Sequence, residues 1–262
     1  MRTVIALLFC LSPLGAVAQL ATPAESDTKP YRTTLWVDGG IILGSLGYYG
    51  GISLYDATLP LPTEAEVLAL DPLQINAFDR GATQNLSTSI NTLSDVGMYT
   101  GMVSPFLLLL DPAIRKDGWQ VAVMGVETLA VSTALTFTAK VFTRRYRPYM
   151  YNPDYPLADK LDNTDGLHSF YSGHTSASAC MSFYTAKVFN DYHPDSPWRY
   201  VVWAGAATVP AITGWARVGA GKHFATDVIV GYAAGALVGY FVPELHRLWQ
   251  QKHTMRQVPR GE

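Results

Sequence analysis

The sequence predicts an all-α helical bundle of about six apolar helices, embedded in a membrane, with its reactive groups at one end of the bundle. Three observations carry this. Charged residues make up 15% of the 262-residue chain against 48% hydrophobic residues, well below the quarter or so of charge typical of soluble domains. Apolar stretches of roughly 15 to 24 residues recur along the chain, near the length a helix needs to cross hydrocarbon. Histidines and cations, scarce within those stretches, gather at three of the junctions between them. Mean hydropathy is only +0.10, so the pattern rather than the average carries the membrane reading. The alternative is a soluble bundle whose buried helices are apolar all round.

Residues 1–18 read as a signal peptide, with Arg2 as the positive n-region, Val4 to Leu14 as the apolar run and Ala16-Val17-Ala18 as the cleavage pattern. The chain is therefore expected to leave the cytoplasm. Residues 19–93 form an N-terminal segment. It opens with a polar stretch and holds one Gly-rich apolar helix, Leu35 to Leu54, broken only by Asp38. An amphipathic run, Ala57 to Asn91, closes it and shows nothing that points to catalysis.

Residues 94–245 form the helical core. Val96 to Leu110 is apolar and stopped by Asp111-Pro112. Trp119 to Phe142 is apolar except for Gln120, Glu127 and Lys140. Tyr149 to Ser169, with two prolines and several acids, is a loop. Thr175 to Phe189 is helical, His193 to Pro197 a turn, and Tyr200 to Trp215 a helix that Pro210 kinks. His223 to Val242 is the last apolar helix, with Pro243 after it. Its Gly231, Gly235 and Gly239 fall at helical spacing and permit close helix contact. Residues 246–262 are a basic tail.

Composition also excludes. Formal net charge is −2 with no basic surplus, so nucleic acid is not an expected partner. Of the two cysteines, Cys10 lies in the signal and Cys180 is alone in an apolar helix, where it reads as a small buried residue. No Cys/His cluster has zinc spacing, and no carboxylate cluster suits magnesium or zinc. No metal and no cofactor are expected.

The three polar junctions ask for an explanation. The first is Lys140 to Pro148, with four cations, Lys140, Arg144, Arg145 and Arg147, in eight residues. The second is Ser172-Gly173-His174, just before an apolar helix. The third runs from Arg217 through His223 to Asp227. Singly, each has a plain reading: a solvated helix end, an N-cap, a structural His/Asp pair. In an up-and-down bundle, however, all three fall at the same end. Converging Lys and Arg side chains are what a tetrahedral oxyanion requires, and backbone N–H groups at Gly173 and His174 add anion donors. His223, with Asp227 four residues on to fix its tautomer, suits a nucleophile. His174 is then free to act as general acid.

The set K-x6-R-P, S-G-H and R-x5-H-x3-D, in this order, resembles the type 2 phosphatidic acid phosphatase superfamily, which also holds bacterial acid phosphatases and vanadium haloperoxidases. The resemblance covers about Trp119 to Val242. It implies that Lys140, Arg147 and Arg217 bind phosphate with Ser172 and Gly173, that His174 protonates the leaving group, and that Asp227 supports attack by His223. Two positions depart from the pattern: Tyr171 stands for the usual proline and Ala216 for the usual serine. The implied activity is a metal-independent phosphatase working through a phosphohistidine. Its implied substrate is a lipid phosphate of the phosphatidic acid, isoprenyl diphosphate or lipid A class. Rivals are a soluble periplasmic acid phosphatase of broad specificity, a haloperoxidase, and a non-enzymatic membrane protein. The implied place is the bacterial envelope, either the inner membrane with the site facing the periplasm or the periplasm itself.

Outside the motifs, Arg144 and Arg145 read as a solvated face and His168 as a surface loop residue. Arg115, Lys116, Arg199 and the tail fall opposite the motifs, which the positive-inside rule places in the cytoplasm. A cleaved signal with six crossings conflicts with that orientation: either the signal stays uncleaved or one apolar segment does not span, Leu35 to Leu54 being the candidate, and a soluble periplasmic enzyme would remove the conflict.

Overall fold

The computed structural model describes residues 29–257 except 163, so the signal-peptide reading lies outside the described residues. Six helices of 16 residues or more dominate: α1 (Leu35–Asp56), α2 (Thr88–Val103), α3 (Gly118–Thr143), α4 (Gly173–Tyr192), α5 (Trp198–Gly219) and α6 (Ala225–Gln257). No strand occurs among the described residues.

The helices alternate in direction; the connections α4–α5 and α5–α6 are short, as antiparallel neighbours favour, while α1–α2 and α3–α4 are joined by long segments that cap the site end. Helix α1 runs parallel to α3, with Tyr49 on Phe137 and Tyr55 near Phe142. Helix α4 runs against α3: Thr136 meets Ser176 near one end, and the Tyr184 hydroxyl donates to the Val121 carbonyl near the other. Helix α4 is central, packed on α2, α3, α5 and α6. Its partners come close because small residues line the seams. A methyl at Gly235 would lie 2.1 Å from the Ser176 carbonyl oxygen, and one at Gly239 2.1 Å from that of Cys180. Gly231 likewise abuts Ser172. The expected glycine stripe thus sets α6 backbone-to-backbone against α4. Cys180 is fully buried there.

Tyr31, Leu108, Ile114, Val121, Met124, Met181, Tyr184 and Val188 form an apolar core in the half of the bundle where α3 begins and α4 ends. The other half is polar inside and holds the junction clusters.

Helix ends depart from the sequence reading in two places. Helix α2 starts at Thr88, capped by the Ser87 side chain, and ends before Pro105. Its first turns were hidden because Asn91, Ser94 and Asp95 turn polar groups inward, which erases the apolar period. Helix α6 does not stop at Pro243 but runs through it to Gln257, and His246, read as the start of a tail, is buried. Pro210 sits inside a continuous α5. The amphipathic run before α2 is a chain of short helical turns, from a capping box at Thr63 and Glu66 to Gly81–Gln84.

Candidate active site

The end of α3 fixes the first cluster. Arg144 adopts a left-handed backbone (φ 43°) and donates its N–H to the Lys140 carbonyl. That conformation is uncommon for a residue with a side chain. It stops the helix one turn after Lys140 and sends the chain back across the bundle end. Residues 145–147 then pair with the loop at 164–169: Arg147 N–H donates to Gly166, and Ser169 N–H to Arg145.

That loop is the hub of the site. The Lys140 ammonium donates to the His168 carbonyl at 2.6 Å. Arg147 donates through Nε to the Asp165 carbonyl at 2.8 Å and through Nη2 to its carboxylate at 2.6 Å. Burial works against ionising Asp165, but Arg147 and Lys140 outweigh it and hold the carboxyl below its usual range.

The third cluster is equally constrained. Gly221 has φ 69°, and a methyl there would sit 2.0 Å from the Asn85 carbonyl oxygen, so only glycine turns this corner. The N–H groups of Lys222 and His223 both donate to the Arg217 carbonyl. His223 is buried, and its Nδ1 lies 2.8 Å from the Ser169 carbonyl oxygen. A carbonyl can only accept, so Nδ1 carries the proton and Nε2 presents its lone pair. Burial first, then the charges of Arg147, Lys140 and Arg217, push the His223 imidazole well below its ordinary range. It is therefore neutral at neutral pH, in the tautomer a nucleophile needs.

The carboxylate expected to set that tautomer does something else. Asp227 Oδ2 is 3.6 Å from His223 Nδ1, beyond hydrogen-bond reach. Instead Asp227 accepts from the Ser169 hydroxyl, from Phe224 N–H at 2.9 Å, and from Arg145 at 2.6 Å. It holds the loop whose carbonyl orients the imidazole. Arg145, read as solvated, is a bridge: its other nitrogen donates to buried Asp79 at 2.8 Å, and its guanidinium lies over the Phe224 ring. His168, read as a surface residue, is buried with Nε2 3.1 Å from Asp56. The sequence carried no local signal for either, because both partners come from distant segments.

On the second junction, Ser172 caps α4 by accepting from Thr175 N–H, and its own N–H donates to the Asp227 carbonyl. Its hydroxyl therefore serves the helix end, while Gly173 lies beneath the Lys140 chain, 3.6 Å from Cε by its absent methyl. His174 Nε2 is 3.0 Å from Asp95, and Arg217 donates to Asn91 at 2.8 Å and to Ser94. Helix α2 thus contributes three polar side chains to the site that sequence reasoning passed over. The polar run before the apolar stretch at Val96 was the available clue. Arg217 Nε is buried and has no hydrogen-bond partner, an unspent guanidinium donor that an anion would satisfy.

A family model described as the PAP2 superfamily matches residues 122–255. The chain belongs to the PAP2 superfamily. The PAP2 match spans Lys140, Arg147, Ser172 to His174, Arg217, His223 and Asp227, and leaves Asp79, Asn91 and Asp95 upstream of it. A relative described as a lipid A 4′-phosphatase, from Porphyromonas gingivalis, is 29% identical over 109 residues, which is 41% of this chain and 42% of the relative. The alignment thus spans less than half the length of that curated protein. A solved transmembrane PAP2-type phosphatidylglycerolphosphate phosphatase from Bacillus subtilis is similar at 19% identity, over 87% of this chain and 100% of that one, with a TM-score of 0.44.

Proposed function

We propose that this chain is a phosphatase that removes phosphate from a membrane lipid through a phosphohistidine on His223. The observation that carries it is the tautomer lock: with Nδ1 held by the Ser169 carbonyl, Nε2 is a neutral nucleophile among Lys140, Arg147 and Arg217. The lone pair of Nε2 attacks phosphorus and the bond to the leaving oxygen breaks. Burial and the Arg217 charge hold the His174 imidazole down to about 4; the negative charge of a bound phosphate opposes them and raises it, and the protonated ring, oriented by Asp95, gives that oxygen its proton. The same imidazole then takes a proton from a water that attacks the phosphohistidine, which releases phosphate and restores Nε2. The three cations stabilise charge on the transferring group.

Membrane embedding rests on two helices, α3 and α6, that are long and apolar enough to cross a bilayer. Exposed Leu43, Leu110, Leu135, Trp215 and Leu237 extend that apolar outer surface. Arg115, Lys116 and Arg199 stand where α3 and α5 begin, away from the site. That arrangement supports a periplasm-facing site. The lipid phosphate class draws on this surface and on the name of the Porphyromonas gingivalis relative.

The test is phosphate release by the detergent-purified chain from lipid and soluble phosphate esters, with no metal added. Turnover of a lipid phosphate is expected, falling at least about 10³-fold in His223→Ala, within the range such groups contribute. Near-normal release by His223→Ala would overturn the mechanism.

A further inference from the structure

Away from the phosphate site, three helices close on a second polar cluster. Asp38 sits in the first turn of α1, Glu127 in the first half of α3, and His246 beyond Pro243 in α6. All three are buried. Glu127 lies roughly 20 Å along α3 from Lys140 at about 1.5 Å per residue, so the cluster is separate from the chemistry above.

The arrangement of atoms is specific. His246 Nδ1 is 2.7 Å from the Arg32 carbonyl oxygen and donates to it. Nε2 then faces Glu127 Oε2 at 3.1 Å and Asp38 Oδ1 at 3.4 Å. One ligand atom from each residue lies within 4.8 Å of the other two. Asp38 is fully buried; one oxygen accepts from Thr34 N–H, and the other, Oδ1, has no hydrogen-bond partner. That oxygen points into the cluster.

Three Lewis-basic atoms facing one another need a cation between them. A proton on Nε2 would leave one of the two carboxylate charges unbalanced in an apolar surround, which is costly. The nearby Arg32 guanidinium lies over the Trp249 ring. A divalent ion with a neutral imidazole balances both carboxylates. Nitrogen and oxygen ligands at about 2.0–2.1 Å around a tetrahedral zinc stand about 3.3 Å apart, and the two measured separations bracket that spacing. The Nδ1 contact to a backbone carbonyl is the outer support that metal-bound histidines habitually have.

We propose that Asp38, Glu127 and His246 form a structural site for a divalent transition metal, zinc above all, that pins α1 and α6 to α3. Such a pin suits α1, whose glycines at 39, 40, 44, 47, 50 and 51 offer no close packing contact.

The test uses the full chain in detergent, loaded with zinc and passed over a chelating resin, then assayed for metal content. About one zinc per chain should be retained, and cobalt(II) in its place should give visible ligand-field bands of low symmetry. Asp38→Asn and His246→Gln should lose both signals. Stripping zinc should lower the melting temperature of the wild-type chain and leave that of Asp38→Asn unmoved. A wild-type chain that retains no zinc, shows no cobalt spectrum and melts alike with and without metal would overturn the proposal in favour of an imidazolium clasp. Phosphate release measured alongside keeps the two readings apart, since Asp38→Asn should retain it.

Discussion

The Nδ1 atom of His223 is 2.8 Å from the backbone carbonyl oxygen of Ser169, closer than any oxygen of Asp227. The group that orients the imidazole is therefore main chain, and the acid four residues on works at one remove, through the Ser169 hydroxyl, Phe224 N–H and Arg145.

Asp227→Ala is accordingly expected to cost more than Ser169→Ala. Removing the carboxylate strands three donors, each worth about 1–3 kcal/mol when buried, and frees the loop; a loss of about 10²-fold in kcat follows. Ser169→Ala keeps the carbonyl and should cost about tenfold or less. Steady-state kinetics on the two variants decide this, and an equal or larger loss in Ser169→Ala would contradict the arrangement.

The pH profile follows from the burial of His223 and the cations around it, which hold its proton affinity down. The acidic limb of kcat/KM, which reports the free enzyme, should fall below the usual imidazole value of about 6.5. For stability, the unfolded chain takes up this proton near 6.5 and the folded chain does not. Stability should therefore fall as pH drops below about 6.5 and level off once the folded imidazole also protonates. An acidic limb at or above 6.5 would be inconsistent with the site.

Asp95→Ala should lower kcat about tenfold with little change in KM, because it releases the 3.0 Å contact that orients His174 without removing a phosphate ligand. The effect is modest because the Asp95 side chain is 39% exposed. Unaltered kcat would remove Asp95 from the mechanism and leave α2 acting only through Asn91 and Ser94 on Arg217.

Gly235→Ala should destabilise the bundle by about 1–3 kcal/mol or more, since its methyl would lie 2.1 Å from a backbone oxygen that cannot turn aside. Gly44→Ala, with nothing within 4 Å, should be neutral or mildly stabilising. Thermal melts in detergent compare the two directly.

Much of this was legible in the sequence. Helices α1, α3, α4, α5 and α6 were readable because their apolar runs are long, and Lys140, Arg147, His174, Arg217 and His223 because cations and imidazoles stand out against apolar neighbours. What was hidden shares one cause. Asp79, Asp95, Arg145, His168 and the Asp38, Glu127 and His246 group acquire meaning only through partners far away in the chain. The Ser169 carbonyl is a backbone atom, which residue identity does not report.

The glycine seam between α4 and α6 has a consequence for how this protein can change. His174 opens one of those helices and His223 immediately precedes the other, so their spacing is dictated by main chain resting on main chain. Substitutions across the rest of the bundle leave that ruler untouched. New substrates would have to be accommodated by remodelling the rim, at residues 57–76 and 149–162, while the imidazoles of His174 and His223 keep a constant separation.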